Sequence, residues 1–153
     1  MLNNFYNCVE LIRTRLEQNP LINTTIFAKT EEKDLYKRNI FPIAHINPIS
    51  SPWTNSSVSK FSFEVGVFEQ REISNKNPNT KFEGNDNVLD NLNTCHAILN
   101  DLLTYLSIQN NEYGIELDSV SQLQPLLFQD FNLLDGWAAT ITLIAPNDII
   151  SVC

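Results

Sequence analysis

Hydrophobic positions along this chain switch between the helical and the strand period, and the order of the switches lays out a fold. Phe5, Val9, Ile12 and Leu16 recur on one helical face, with Glu10, Arg13 and Glu17 off it. This first helix should stop near Asn19, because Pro20 disfavours helical geometry in the residue before it. Thr24 to Lys29 then reads as a short strand, and the charged run Glu31 to Arg38 as a turn or a single helical turn. Ile40 to Ile49 is apolar but interrupted by Pro42 and Pro48. Proline cannot donate to a sheet ladder, so an edge strand or an extended arm is expected there. The clearest strand of the first half spans Lys60 to Ile73. Phe61, Phe63, Val65 and Val67 lie on one face, with Ser62, Glu64 and Gly66 on the other.

A polar loop from Ser74 to Asp86 leads into a second helix, from about Asn87 to Leu106. Leu89, Leu92, His96, Leu99, Leu103 and Leu106 form its stripe, widened by Cys95, Ile98 and Leu102, and Asp86 or Asn87 is placed to cap it. Tyr113 to Phe131 is apolar but irregular, broken by Pro125, and reads as one or two strands pairing with a final one. That final strand lies in the stretch Asn132 to Asp148. Leu134-Asp135-Gly136 signals a turn; Trp137, Ala139, Ile141, Leu143 and Ala145 alternate; Pro146-Asn147-Asp148 stops the run. The expected fold is α+β, with two helices on one face of a mainly antiparallel sheet. At 153 residues the chain fits a single domain, residues 1–153, large enough for a core without metal or disulfide staples.

Composition narrows the partners. The net charge is −8 and the pI about 4.6, without the clustered Lys and Arg that a phosphate backbone rewards. Sequence-specific nucleic-acid binding is therefore not expected, although DNA could pass such a surface without sticking. No run approaches the roughly 20 apolar residues of a membrane span, and the N-terminus lacks a signal-peptide pattern. The abundant asparagines fit an AT-rich coding bias, and the sequons at Asn23 and Asn55 fit chance in such a chain.

Reactive groups do not assemble along the sequence. Cys8, Cys95 and Cys153 form no CxxC pair, and the two histidines, His45 and His96, lie in different elements. Cys95 and His96 are adjacent on a helix and point apart, which is poor chelating geometry. Asn85-Asp86-Asn87 with Asp90 lacks the glycine and distal Glu of a calcium loop, so helix capping explains those residues better. Gly66, Gly84, Gly114 and Gly136 make no phosphate-binding motif, and no nucleophile elbow occurs. No catalytic residue, metal or cofactor is expected. Trp53 lies in a Ser/Pro/Asn loop, either tucked onto its own domain or presented to a partner. Trp137 starts a strand, as a core or edge anchor of the sheet.

The size, the helix–strands–helix–strands order and the close of Asp135-Gly136-Trp137, alternating strand and Pro146-Asn147-Asp148 resemble tail-terminator, tail-completion and neck-ring proteins of tailed bacteriophages. The resemblance covers most of Asn4 to Asp148. It implies a non-enzymatic virion protein that forms a homo-oligomeric ring at the neck or tail, for head–tail connection or tail completion. Its further partners would be the portal, the tail tube or an adjacent ring, and it would reside in the host cytoplasm before assembly. The implied arm is Ile43 to Ser59, with Ile43, Ile46, Ile49 and Trp53 as interface residues, and the implied flexible loop is Ser74 to Asp86. Rings need head-to-tail contacts between different patches of one chain, and a proline-bearing apolar extension offers one. Two alternatives are a small-molecule-binding or enzymatic α+β domain, and a monomeric adaptor acting on a host protein.

Overall fold

Strand alternation and helical periodicity generate eight elements in the computed structural model, which describes residues 3–27, 41–71, 87–108, 111–129 and 134–147. They are α1 (Asn4–Gln18), β1 (Thr24–Phe27), β2 (Ile43–Ser50), β3 (Val58–Gln70), α2 (Val88–Ser107), β4 (Glu116–Val120), β5 (Gln124–Gln129) and β6 (Leu134–Pro146). The fold is α+β, with two helices and a mixed six-stranded sheet. The turn expected at Glu31 to Arg38 and the loop Ser74 to Asp86 lie outside the described residues.

The sheet order is β1-β2-β3-β6-β4, with β5 also paired to β6. Strands β3 and β6, 13 residues each, pair without interruption from Val58↔Pro146 to Gln70↔Leu134. Along its other edge β6 takes β5 near its start and β4 near its end, so the irregular stretch before it supplies two strands. Only β1 and β2 pair in parallel among the described strands.

The alternation in β3 has the expected register. Phe63, Val65 and Val67 are fully buried in the main core with Ala44 and Ile46 of β2 and Ala139, Ile141 and Leu143 of β6. Helix α1 contributes Cys8, Leu11, Ile12 and Leu16, and α2 contributes Cys95, Ile98, Leu99, Leu102 and Leu106. Each large side chain in this set contributes about 1.5–3 kcal/mol by leaving water. Helix α1 ends where expected, with Asn19 extended (ψ 120°) ahead of Pro20.

Three expectations change. The buried face of α2 is turned by about one residue from the leucine stripe, onto Val88, Asn91, Cys95, Ile98, Leu99, Leu102 and Leu106. Leu89 is exposed and so is His96. The stripe missed this because one inward position is polar: Asn91 donates through Nδ2 to the Gln70 carbonyl at 3.1 Å. Asn87 does occupy the N-cap position, without a capping side-chain bond.

Second, the segment from Ile43 is a regular interior strand, with β1 on one side and β3 on the other, rather than an edge or arm from its start. Pro48 is tolerated because it lies past the last β1 pair, Phe27↔Ile46, and beside a register irregularity toward β3. Third, Asp135, Gly136 and Trp137 make no turn, since all three lie inside β6. Among the described glycines the left-handed one is Gly114 (φ 67°), ahead of β4. Gly136 is needed for a close approach instead, because a Cβ there would fall on the Val67 carbonyl oxygen across the ladder.

Phe63→Ala and Leu99→Ala should each cost about 2–5 kcal/mol in urea unfolding, as truncations in a fully packed core do. Gly136→Ala should cost roughly 2 kcal/mol or more, because backbone rather than a side-chain end must move. Gly114→Ala, which meets only the Pro146 ring at an ordinary 3.5 Å, should cost about 1 kcal/mol through its φ alone.

Candidate functional site

The groups able to do chemistry do not converge. Cys8 and Cys95 are buried thiols, each pushed up to about 12 by burial, so both stay protonated at neutral pH. His45 is buried in β2, stacked on Phe68, with Nε2 3.4 Å from the Glu64 carboxylate. His96 lies on α2 with its ring edge-to-face against Trp137, centroids 5.0 Å apart. The strand register separates the two. His45 shares its face with Gly66 and Ala138, whereas Trp137 pairs with Val67 on the opposite, core-lining face. Among the described residues no group of three or more His, Cys, Asp or Glu side chains is placed to hold a metal ion. No described helix is long and apolar enough to cross a membrane.

The two ends of the β3–β6 ladder differ sharply. At the end where β3 finishes and β6 begins, Arg71 donates to both carboxylate oxygens of Asp135 at 2.8 and 2.6 Å, with both side chains buried. Trp137 Nε1 donates to the Leu92 carbonyl at 2.9 Å, the Asn91 amide donates to the Gln70 carbonyl, and the Cys95 thiol reaches the Asp135 carbonyl at 3.8 Å. These bonds tie both long strands to α2. The Asp135-Gly136-Trp137 triplet is thus a structural anchor: a buried carboxylate, a close approach and an aromatic clamp. Sequence reasoning missed Arg71 altogether, because nothing local links it to a carboxylate so far along the chain.

The opposite end carries the β2–β3 hairpin. Its connection, residues 51–57, is held locally by the Asn55 side chain, whose Oδ1 accepts the backbone N–H groups of Ser57 and Val58 at 2.8 and 3.2 Å. Asn147 adds bonds to Ser56, Ser57 and Ser59, and the Ser51 hydroxyl donates to the Lys60 carbonyl. On this pinned loop Trp53 is 83% exposed, with Ile49 50% exposed on the strand leading to it. Of the residues assigned to an interface, Ile43 and Ile46 are corrected: they are buried within the chain's own core, because their half of β2 is flanked by strands. Ile49 and Trp53 remain on the surface. Across Ile43 to Ser59 there is no Asp, Glu, Lys or Arg, in a chain of net charge −8.

Beside the base of the hairpin lies a second apolar feature. Phe5 of α1 stacks on Phe63 at 5.8 Å and meets Phe61 and Phe27 edge-on at 5.5 and 6.5 Å. Phe5 and Phe27 are each about half exposed, and Tyr6 is 64% exposed. Asn4 fixes this end of α1 by donating to the Pro146 carbonyl at 3.2 Å and to Asn147 Oδ1 at 2.7 Å. This geometry suits contact with another macromolecule: rigid aromatic groups, half solvated, on a hydrogen-bonded frame.

Asp135→Ala should cost about 3–5 kcal/mol in urea unfolding, because it leaves the Arg71 guanidinium buried without its carboxylate. The double variant Arg71→Met with Asp135→Leu should recover most of that loss. Equal destabilisation of the single and double variants would show that packing, not charge, dominates there.

Compared with known proteins, no family model and no curated sequence matches this chain.

Proposed function

We propose that this chain is a non-enzymatic structural protein of a tailed-bacteriophage virion, assembled as a ring at the neck or tail. In this reading both helices lie on one face of the sheet, in the manner of tail-terminator proteins. The exposed part of the β2–β3 hairpin interlocks neighbouring subunits. The observation that carries the proposal is Trp53, 83% exposed at the tip of the β2–β3 hairpin, whose loop carries no charged residue and is held by Asn55 and Asn147. A fixed aromatic tip loses less conformational entropy on docking than a floppy one, and a buried tryptophan commonly contributes 2 kcal/mol or more to an interface. The interlocking element is shorter than Ile43 to Ser59, since Ile43 and Ile46 are already committed to the core.

The acidic balance supports the same reading. A ring at the neck or tail surrounds the path of DNA, and an excess of carboxylates repels a phosphate backbone. Specific contacts to portal, tail tube or an adjacent ring belong to the proposal, as does the absence of a cofactor. A monomeric adaptor for a host protein would also present Trp53, but it would not be part of the particle.

Mass spectrometry of purified virions from the phage that encodes this chain tests the reading. The chain should be present at the copy number of a ring. Its absence from particles, or a gene neighbourhood without morphogenesis genes, would sink the proposal. Trp53→Ala should leave unfolding stability within about 0.5 kcal/mol, as exposed positions do, yet sharply reduce incorporation into particles.

A further inference from the structure

We infer that Asn147 is a positioning residue: it fixes the direction in which the hairpin loop presents Trp53. The inference rests on the reading above, in which Trp53 enters a contact, and names the residue that prepares it. The register explains the reach of position 147. The β3–β6 ladder ends at Val58↔Pro146, so Asn147 comes next along β6, beside the last residues of the loop. Its backbone N–H donates to the Ser57 carbonyl at 2.9 Å, and its Nδ2 donates to the Ser56 carbonyl at 3.2 Å. Its Oδ1 accepts the Ser59 hydroxyl and Asn4 Nδ2, both at 2.7 Å. One residue thus joins the loop, β3 and the start of α1.

The other bonds of the loop act differently. Asn55 Oδ1 accepts the N–H groups of Ser57 and Val58, its own near neighbours, so these bonds shape the loop. The Ser51 hydroxyl reaches the Lys60 carbonyl within the hairpin itself. Asn147 instead reaches the loop from outside the hairpin, from the end of a 13-residue strand paired to β3 throughout. Trp53 is 83% exposed, so its direction follows from the loop backbone rather than from packing.

The chemistry of the side chain suits this task. An Asn amide accepts through its oxygen and donates through its nitrogen, whereas Asp, of the same shape, has no donor for the Ser56 carbonyl. A loop whose direction is preset loses less conformational entropy on docking than one that swings. Loss of the Asn147 amide therefore weakens the proposed contact without altering the surface that makes it.

The test pairs two measurements on the full chain, with Asn147→Ala and the isosteric Asn147→Asp. In the free chain, amide-nitrogen relaxation should give Trp53 and Thr54 order parameters near the ~0.85 of rigid backbone, falling toward ~0.6 in Asn147→Ala. Asn147→Asp, which keeps the oxygen acceptor, should lie between. In particles assembled from an equal mixture of variant and isotope-labelled unsubstituted chain, Asn147→Ala should be under-represented by about fivefold or more. Amide exchange in β3 and β6 should stay unchanged, which separates loss of the loop's direction from loss of the fold.

Mobile Trp53 and Thr54 amides in the unsubstituted chain, or order parameters that Asn147→Ala leaves unchanged, overturn the inference. Equal representation of Asn147→Ala in particles overturns it too, because a preset tip is then not needed, while the ring reading stands. Faster exchange across β3 and β6 in the variant also overturns it, since Asn147 then serves the whole fold. Absence of the unsubstituted chain from particles sinks the ring reading, and this inference with it.

Discussion

The uninterrupted antiparallel ladder between β3 and β6 is the constraint on which everything else in this chain depends. Its register, Val58↔Pro146 through Gln70↔Leu134, decides which residues enter the core and which end of the molecule is locked. With the pleat fixed, Phe63, Val65 and Val67 must share a face with Ile141 and Ala139, and both helices contribute their apolar residues to the same core. A slip of one residue would replace that set with Ser62, Glu64 and Gly66. The ladder also tolerates no side chain at position 136, so Gly136 and the register protect one another.

The two ends of this ladder perform different tasks. One is closed by the buried Arg71–Asp135 pair and by the Trp137 and Asn91 bonds to backbone carbonyls, which join strands to α2. Buried ion pairs contribute little net stability compared with apolar packing, but they penalise wrong arrangements heavily. The other end holds the hairpin tip with Trp53 and the half-exposed aromatic side chains of Phe5 and Phe27.

Much of this was legible in the sequence, and the failures share a cause. Period alone located α1, α2, β3 and β6 and the inward residues of β3, because their apolar residues recur with the period of the element they form. The sequence leaves the exposure of Trp53 open, since a loop aromatic lacks a periodic partner. Asp135-Gly136 misled because the pair is a turn signal only where the backbone is free to turn; here the Asp is drawn inward by an arginine distant in sequence, and the Gly lies under a neighbouring carbonyl. Flanking prolines make Ile43 and Ile46 read as part of an arm. A parallel partner supplied by β1, also far away in the chain, makes that half of β2 an interior strand. On α2 the leucine stripe was slightly misplaced because Asn91 points inward to reach Gln70.

We propose that the hairpin tip is a preformed contact surface, held by its own chain and covered only on assembly. Hydrogen–deuterium exchange, compared between the free chain and the chain in assembled particles, tests it most directly. Amides of residues 51–57 should exchange readily in the free chain and become protected in the particle, while those of β3 and β6 are slow in both. Equal exchange at residues 51–57 in the two states, with protection gained elsewhere, would contradict the claim.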